Sequence, residues 1–318
     1  MLWVMVLLLF SPAAFAADIW KDAPFEPTDV AMELLRLSEH CYYVQGQAGT
    51  ATDNQGFIAN AGVVITDEGV VVFDALGSPS LAWLLLSKIR ALTDKPIVKV
   101  VTSHYHADHI YGLQVFKAEG AEIIAPAGAL DYLADETAES RLQERRESLF
   151  PWVNDDTRLI TPDQLITTQQ RFQLGGVRFV VRLVGSTHST GDQIMQVLDD
   201  GVLFSGDLIF QGRIPLVAGS HPQAWLEGLQ SLRTDDLKVL VPGHGPASRK
   251  PAKAIEFTRD YLRYLHQGMA EAVENLTPFE EAYAAVDWSA YEHLPAFIAN
   301  RLNAYYVYLG LEAKSMAD

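Results

Sequence analysis

Residues 104 to 109 read His104-Tyr105-His106-Ala107-Asp108-His109, and they follow directly on the apolar run Ile97 to Val101. Three imidazoles and a carboxylate within six residues, carried into a fold by an apolar strand, limit what this chain can become. A polar group buried without a partner costs several kcal/mol, about 2–7 depending on the reference state. A divalent cation satisfies all four groups at once, because imidazole and carboxylate together form the ligand set of zinc and related metals. The alternative is a cluster of surface histidines, and the strand in front of the hexad argues against it.

Three further candidates lie far away in sequence. His188 sits in Gly185-Ser186-Thr187-His188-Ser189-Thr190-Gly191-Asp192, Asp207 in Ser205-Gly206-Asp207, and His244 in Pro242-Gly243-His244-Gly245. Taken singly each is weak, since a lone histidine in a glycine-rich turn is more often structural. Their shared position makes them stronger. Val180 to Val184, Val202 to Phe204 and Val239 to Val241 each end just before one of them, as Val70 to Phe73 ends just before Asp74. Ligands in layered α/β folds gather at the carboxyl ends of strands. The turn glycines let backbone approach closely there.

The rest of the chain supplies the scaffold. Cys41 to Val44, Phe57 to Ala59, Ala61 to Thr66 and Val70 to Phe73 read as strands, with a hairpin turn at Asp67-Glu68-Gly69. Ser78-Pro79 opens a helix. Ile97 to Val101 is a strand, Tyr111 to Lys117 a short helix, Glu122 to Ile124 a strand and 127–149 helical. Residues 150–163 read as loop. A second strand-rich stretch spans 172–204, followed by a helix from Pro222, a strand to Val241, and helix from Pro251 almost to the end with a break near Pro278. The order β, α, β, α occurs twice, which predicts two halves packed sheet on sheet with helices outside. Residues 17–40 read as an arm with a short helix, and 41–318 as one domain with C-terminal helices.

The formal net charge of −16 excludes a nucleic-acid surface, which needs a basic face. The single cysteine, Cys41, rules out an internal disulfide and reads as a small buried residue. Leu2 to Phe10 is unbroken apolar sequence, followed by Ser11-Pro12 and the small-x-small pattern Ala14-Phe15-Ala16. This predicts a signal peptide over 1–16, although no Lys or Arg precedes the run. The run is shorter than the about 20 residues a membrane helix needs. The expectation is therefore a periplasmic or secreted protein, with no stable membrane insertion after cleavage and a small-molecule substrate. An apolar N-terminal tail docked on the body is the alternative, and oligomeric state stays open.

The His-x-His-x-Asp-His hexad, the later Thr-His-Ser-Thr-Gly-Asp, the Gly-Asp after a strand and the late Gly-His-Gly together resemble the metallo-β-lactamase superfamily. The resemblance implies a four-layer αββα sandwich of two mixed β-sheets. It implies that His104, His106 and His188 hold one metal, that Asp108, His109 and His244 hold a second, and that Asp207 bridges them. Asp74 would be a supporting carboxylate that orients the histidine loop. The implied cofactor is two divalent ions per chain, zinc first, with iron and manganese sharing the same ligand types. Such a pair lowers the pKa of a bridging water and supplies hydroxide at neutral pH. The implied reaction is cleavage of an ester-, thioester-, lactone- or lactam-type bond, with Asp108 also accepting or relaying a proton.

Asp207 stands where the β-lactam-hydrolysing branches carry cysteine or serine, so the chain is more similar to thioester, lactone and phosphoester hydrolases. Gly206 to Pro215 resembles a subgroup of exported zinc metallohydrolases linked to sulfur oxidation or to quinoprotein electron relays. Arg213 and His221, just past Asp207, are candidates for the substrate pocket, against a solvent-facing loop. Trp152 is a candidate cap, against ordinary packing. Two other functional classes remain: a mononuclear iron persulfide dioxygenase of the same fold, and a non-catalytic metal- or ligand-binding relay component.

Overall fold

The computed structural model describes residues 19–21 and 23–317, so the expected signal peptide at 1–16 lies outside the described residues. Seven strands form the first sheet in chain order: β1 (Leu34–Arg36), β2 (Cys41–Val44), β3 (Ala61–Ile65), β4 (Val70–Phe73), β5 (Ile97–Val101), β6 (Glu122–Pro126) and β7 (Gln164–Ile166). Neighbours from β1 to β4 are antiparallel, and those from β4 to β7 are parallel. The second sheet contains β8 (Gln169–Leu174), β9 (Val177–Gly185), β10 (Asp192–Val197), β11 (Val202–Phe204) and β12 (Val239–Val241), in the order β12-β11-β10-β9-β8. It is antiparallel except for the parallel pair β11 and β12.

Helices cover both outer faces. On the first side are α1 (Pro79–Arg90), α2 (Ala107–Ile110), α3 (Leu113–Ala118), α4 (Gly128–Ala134) and α5 (Glu136–Ser148). On the second are α6 (Pro222–Gln230), α7 (Pro251–Glu274), α8 (Phe279–Ala285) and α9 (Asn300–Ala317). Three cores result. Val63, Val72 and Val100 face Leu81, Leu85 and Phe116 on one side. Val71, Phe73, Phe179, Met195 and Phe204 fill the space between the sheets. Leu203 and Leu240 face Trp225, Leu262 and Leu265 on the other side. Two sheets pack face to face with helices outside, as the strand order predicts, and the whole is the four-layer sandwich of two mixed sheets that the resemblance implies. All four residues of β4 are buried, and a strand covered on both faces reads as continuous apolar sequence rather than as alternation. The Ser78 hydroxyl caps α1 by accepting from the Leu81 N–H at 3.2 Å.

The structure corrects four local expectations. The expected arm carries a strand that the sequence did not suggest, β1: Leu34 packs into the outer core and Leu35 into the inter-sheet core, which is period-two placement. Phe57 to Ala59 is a turn, because Gln55 and Gly56 adopt left-handed backbone and the Phe57 N–H closes on Asn54 O at 2.8 Å. The helix after the hexad begins at Ala107, so Asp108 and His109 lie in its first turn. The C-terminal break is longer than one proline: residues 286–299 are non-helical except for a short turn at Phe297–Ala299, held by Tyr283, Trp288 and Tyr291 packing on one another and on α7.

Candidate metal centre

Five strand ends converge at the top of the sandwich. Asp74 follows β4, His104 to His109 follow β5, His188 follows β9, Asp207 follows β11 and His244 follows β12. β9 and β11 are both antiparallel to β10, and β12 is parallel to β11, so the three second-sheet strands deliver their residues at the same end. Two glycines make the convergence possible. A Cβ on Gly243 would lie 1.9 Å from Asp207 Oδ1, and one on Gly206, whose φ is +51°, would lie 2.2 Å from Ser103 Cβ. Any side chain there would push the β11 and β12 loops away from the hexad.

The seven predicted ligands form two separate triads, linked by a third group of His104, His109 and Asp207. His104, His106 and His188 bring ligand atoms within 4.8 Å of one another, and so do Asp108, His109 and His244. His106 Nδ1 and His188 Nε2 stand 3.0 Å apart. Asp108 Oδ2 is 3.6 Å from His109 Nε2 and 3.3 Å from His244 Nε2. Asp207 lies between the groups. Its Oδ1 is 3.2 Å from His109 Nε2, while its Oδ2 is 3.3 Å from His188 Nε2 and 3.2 Å from His244 Nε2.

The donor set fits divalent cations. His104 Nε2, His109 Nε2 and Asp207 Oδ1 are buried and make no hydrogen bond, and a native interior rarely tolerates such atoms unless something else satisfies them. Burial, reinforced by His109 and His106, holds His104 well below the ordinary histidine range, and burial with His188 beside it lowers His106 to about 4. Both rings are thus neutral ligands at neutral pH. At the other group burial is overruled. Asp207, Asp108 and Asp74 carry His109 well above its ordinary value, and Asp207 and Asp108 raise His244. Burial also opposes ionisation of Asp207, yet His244 and His109 hold it well below the carboxylate range. That end of the site favours positive charge.

Hydrogen bonds from behind orient the ligands. Asp74 accepts from the Ser103 N–H at 2.6 Å, from the Ser103 hydroxyl at 2.8 Å and from His109 Nδ1 at 2.9 Å. Ser103 Oγ in turn lies 2.9 Å from His104 Nδ1. One buried carboxylate therefore orients a ligand in each group. Burial raises the Asp74 pKa against the opposing pull of His109 and Ser103. His244 Nδ1 is 2.8 Å from Ile58 O, a group that can only accept, so Nδ1 carries the proton and Nε2 is free for a metal.

Sequence reasoning missed several supports. Asn60 donates to Pro242 O at 2.7 Å and to Gly245 O at 2.8 Å, clasping the turn that carries His244. Asp192 accepts from the Thr187 N–H and hydroxyl and from the Ser189 N–H and hydroxyl, at 2.7–3.0 Å, and so fixes the His188 loop. Trp225 packs edge-on to His188 with centroids 5.1 Å apart, and Phe210 stacks on His244 at 5.1 Å. The repeated Ser/Thr around His188, ending in Asp192, was the one available signal.

The remaining candidates separate. Arg213 is half-buried, with Nη1 3.4 Å from His244 Nδ1 and its Nε without a partner. Burial lowers its pKa against the pull of Asp207 and Asp108. His221 joins through its backbone: its N–H donates to Thr187 O at 2.8 Å, while its imidazole is exposed. Trp152 faces the N-terminal arm, where its indole donates to Pro27 O at 2.9 Å, and it does not line the cavity beside Asp108. Cys41 is fully buried between the sheets, and burial pushes its thiol far up, so it is not a nucleophile.

The sequence profile of the metallo-beta-lactamase superfamily matches residues 54–244, more than half of the chain. Among curated relatives, a linear primary-alkylsulfatase from a Pseudomonas species is 24% identical over 67% of this chain and 47% of its own length. The metallo-beta-lactamase IND-1 of Chryseobacterium indologenes is 23% identical over 76% of this chain and 89% of its own. This chain thus spans about half the length of the alkylsulfatase. Among solved structures, the sec-alkylsulfatase Pisa1 from Pseudomonas sp. superposes with a TM-score of 0.63, at 18% identity, covering 94% of this chain and 61% of that one. That likeness concerns the fold. Among the described residues, no helix is long and apolar enough to cross a membrane.

Proposed function

The chain belongs to the metallo-β-lactamase superfamily, and from that premise we propose that it is a two-metal hydrolase that cleaves an ester-type bond in a small molecule. The observation that carries the reading is Asp207, whose two oxygens lie 3.2–3.3 Å from ligand nitrogens of both groups. A carboxylate so placed is suited to bridge two cations. His104, His106 and His188 would hold the first ion, and Asp108, His109 and His244 the second. Zinc is the first choice for this ligand set. Such a pair supplies Lewis acidity and an activated water at neutral pH.

The protein's own residues do the rest. Asp108 is the least buried carboxylate of the set, its side chain 22% accessible, and would accept a proton from a water that bound metal activates. Asp74 holds the ligand rings in register. Arg213 lies beside His244, with Nη1 3.4 Å from the Nδ1 that also meets Ile58 O, and would support that ligand from outside the metal position. Export is part of the proposal and rests on the N-terminal sequence alone.

Elemental mass spectrometry on the purified protein is the test. About two zinc per chain, with turnover on a panel of thioesters, lactones, β-lactams and alkyl sulfates, supports the hydrolase. About one iron, with oxygen uptake on persulfides, overturns it in favour of a dioxygenase.

A further inference from the structure

We propose that Arg145 selects substrates that carry an oxyanion beside the bond to be cut. This deepens the hydrolase reading and rests on it. Among the seven ligands only His106 and Asp108 are not fully buried, so solvent and substrate reach the centre from their side. Asp108 lines a cavity of about 20 Å³, room for one water-sized group. Its walls are backbone and small or apolar residues, among them Gly56, Gly77, Ala107 and Leu149. Arg145, reaching in from α5, is the one cation in the lining.

The guanidinium of Arg145 is poorly satisfied. Its side chain is 24% exposed, it makes no hydrogen bond among the described residues, and its one acidic contact is Glu144 at 3.5 Å. Glu144 is already engaged by Arg141, one turn earlier, at 2.6 Å. The chain has 40 acidic side chains against 24 basic ones, so carboxylate partners are abundant. A guanidinium presents five donors in a planar fork that matches carboxylate, sulfate or phosphate oxygens in pairs. A neutral ester leaves those donors idle, whereas an oxyanion in the cavity mouth engages them and sets the scissile bond toward Asp108.

The test compares wild type, Arg145→Ala and Arg145→Lys, all metal-loaded. The substrates are p-nitrophenyl acetate, p-nitrophenyl hemisuccinate, p-nitrophenyl sulfate and p-nitrophenyl phosphate. Arg145→Ala should raise KM for the anionic substrates about 10- to 100-fold, the range of a charge-assisted hydrogen bond, with kcat less affected. The neutral acetate should change less than about twofold. Arg145→Lys should recover part of the loss, because it restores charge without the fork. The arm that suffers most identifies the oxyanion. Equal loss on neutral and anionic substrates, or no loss, overturns the proposal and leaves the hydrolase reading standing. If nothing is turned over, titration calorimetry with succinate and inorganic sulfate decides. Affinity about tenfold weaker in Arg145→Ala upholds the anion site and unchanged affinity overturns it, while the hydrolase reading stands or falls on its own metal content and its thioester, lactone, β-lactam and alkyl sulfate panel.

Discussion

The two ligand groups of the metal centre are built on different electrostatics. The first is all imidazole: burial holds His104 and His106 neutral, and nothing in the group itself attracts charge. The second mixes His109 and His244 with Asp108, and with Asp207 and Asp74 behind them its histidines favour the protonated form. Burial and the neighbouring carboxylates thus push the histidines of the two groups in opposite directions. The difference teaches that the two ligand groups offer a cation different electrostatic surroundings, with Asp207 in reach of both.

The most severe way to break that picture is to remove the joint. Asp207→Ala should abolish turnover and lower metal content from about two to below about one per chain, because both positions lose an anionic ligand at once. Full metal content in this variant would show that the groups are independent. Asp108→Ala should take away the second position alone, leaving about one metal per chain and no turnover. Loss of both ions there would mean that the first position needs the second.

Acid sharpens the comparison without mutation. His109 and His244, with raised pKa, bind protons first as pH falls, and those protons compete with metal. His106, lowered to about 4, keeps its lone pair to much lower pH. Dialysis in steps from about pH 8 to about pH 4 should therefore release one ion per chain before the other. Simultaneous release would erase the distinction. The smallest effect belongs to the shared support: Asp74→Asn should weaken metal binding at both positions by about 10- to 100-fold, measured by competition with a chelator. A loss confined to the second position would show that the link through Ser103 to His104 carries no weight.

Much of this was legible in the residues. The hexad is dense enough to announce a site, and the apolar runs before Asp74, His188, Asp207 and His244 placed each at a strand end. Short apolar strands and Gly-Asp or Gly-His turns are local features, and local features survive in a sequence. What supports the ligands was less legible. The carbonyl of Ile58 belongs to a segment that reads as strand and folds as a turn, and it meets His244 across 186 positions of sequence. Asn60 clasps the same turn through two backbone oxygens. A main-chain acceptor has no residue-type signature, so no motif can report it. Arg213 read as a pocket candidate against a solvent-facing loop, and its half-burial against His244 depends on how the β11 and β12 loops pack together.

The sequence by itself determined the inventory of ligands, the strands that carry them and the layered order that gathers those strands. Only the tertiary structure decided which atoms meet: that Asp207 touches both groups, that Asp74 serves a ligand in each, and that Arg145 rather than Trp152 stands beside Asp108. Ligand identity is a property of single residues. Ligand distance is set by the packing of one sheet on the other, where a single Cβ at Gly206 or Gly243 would force the loops apart.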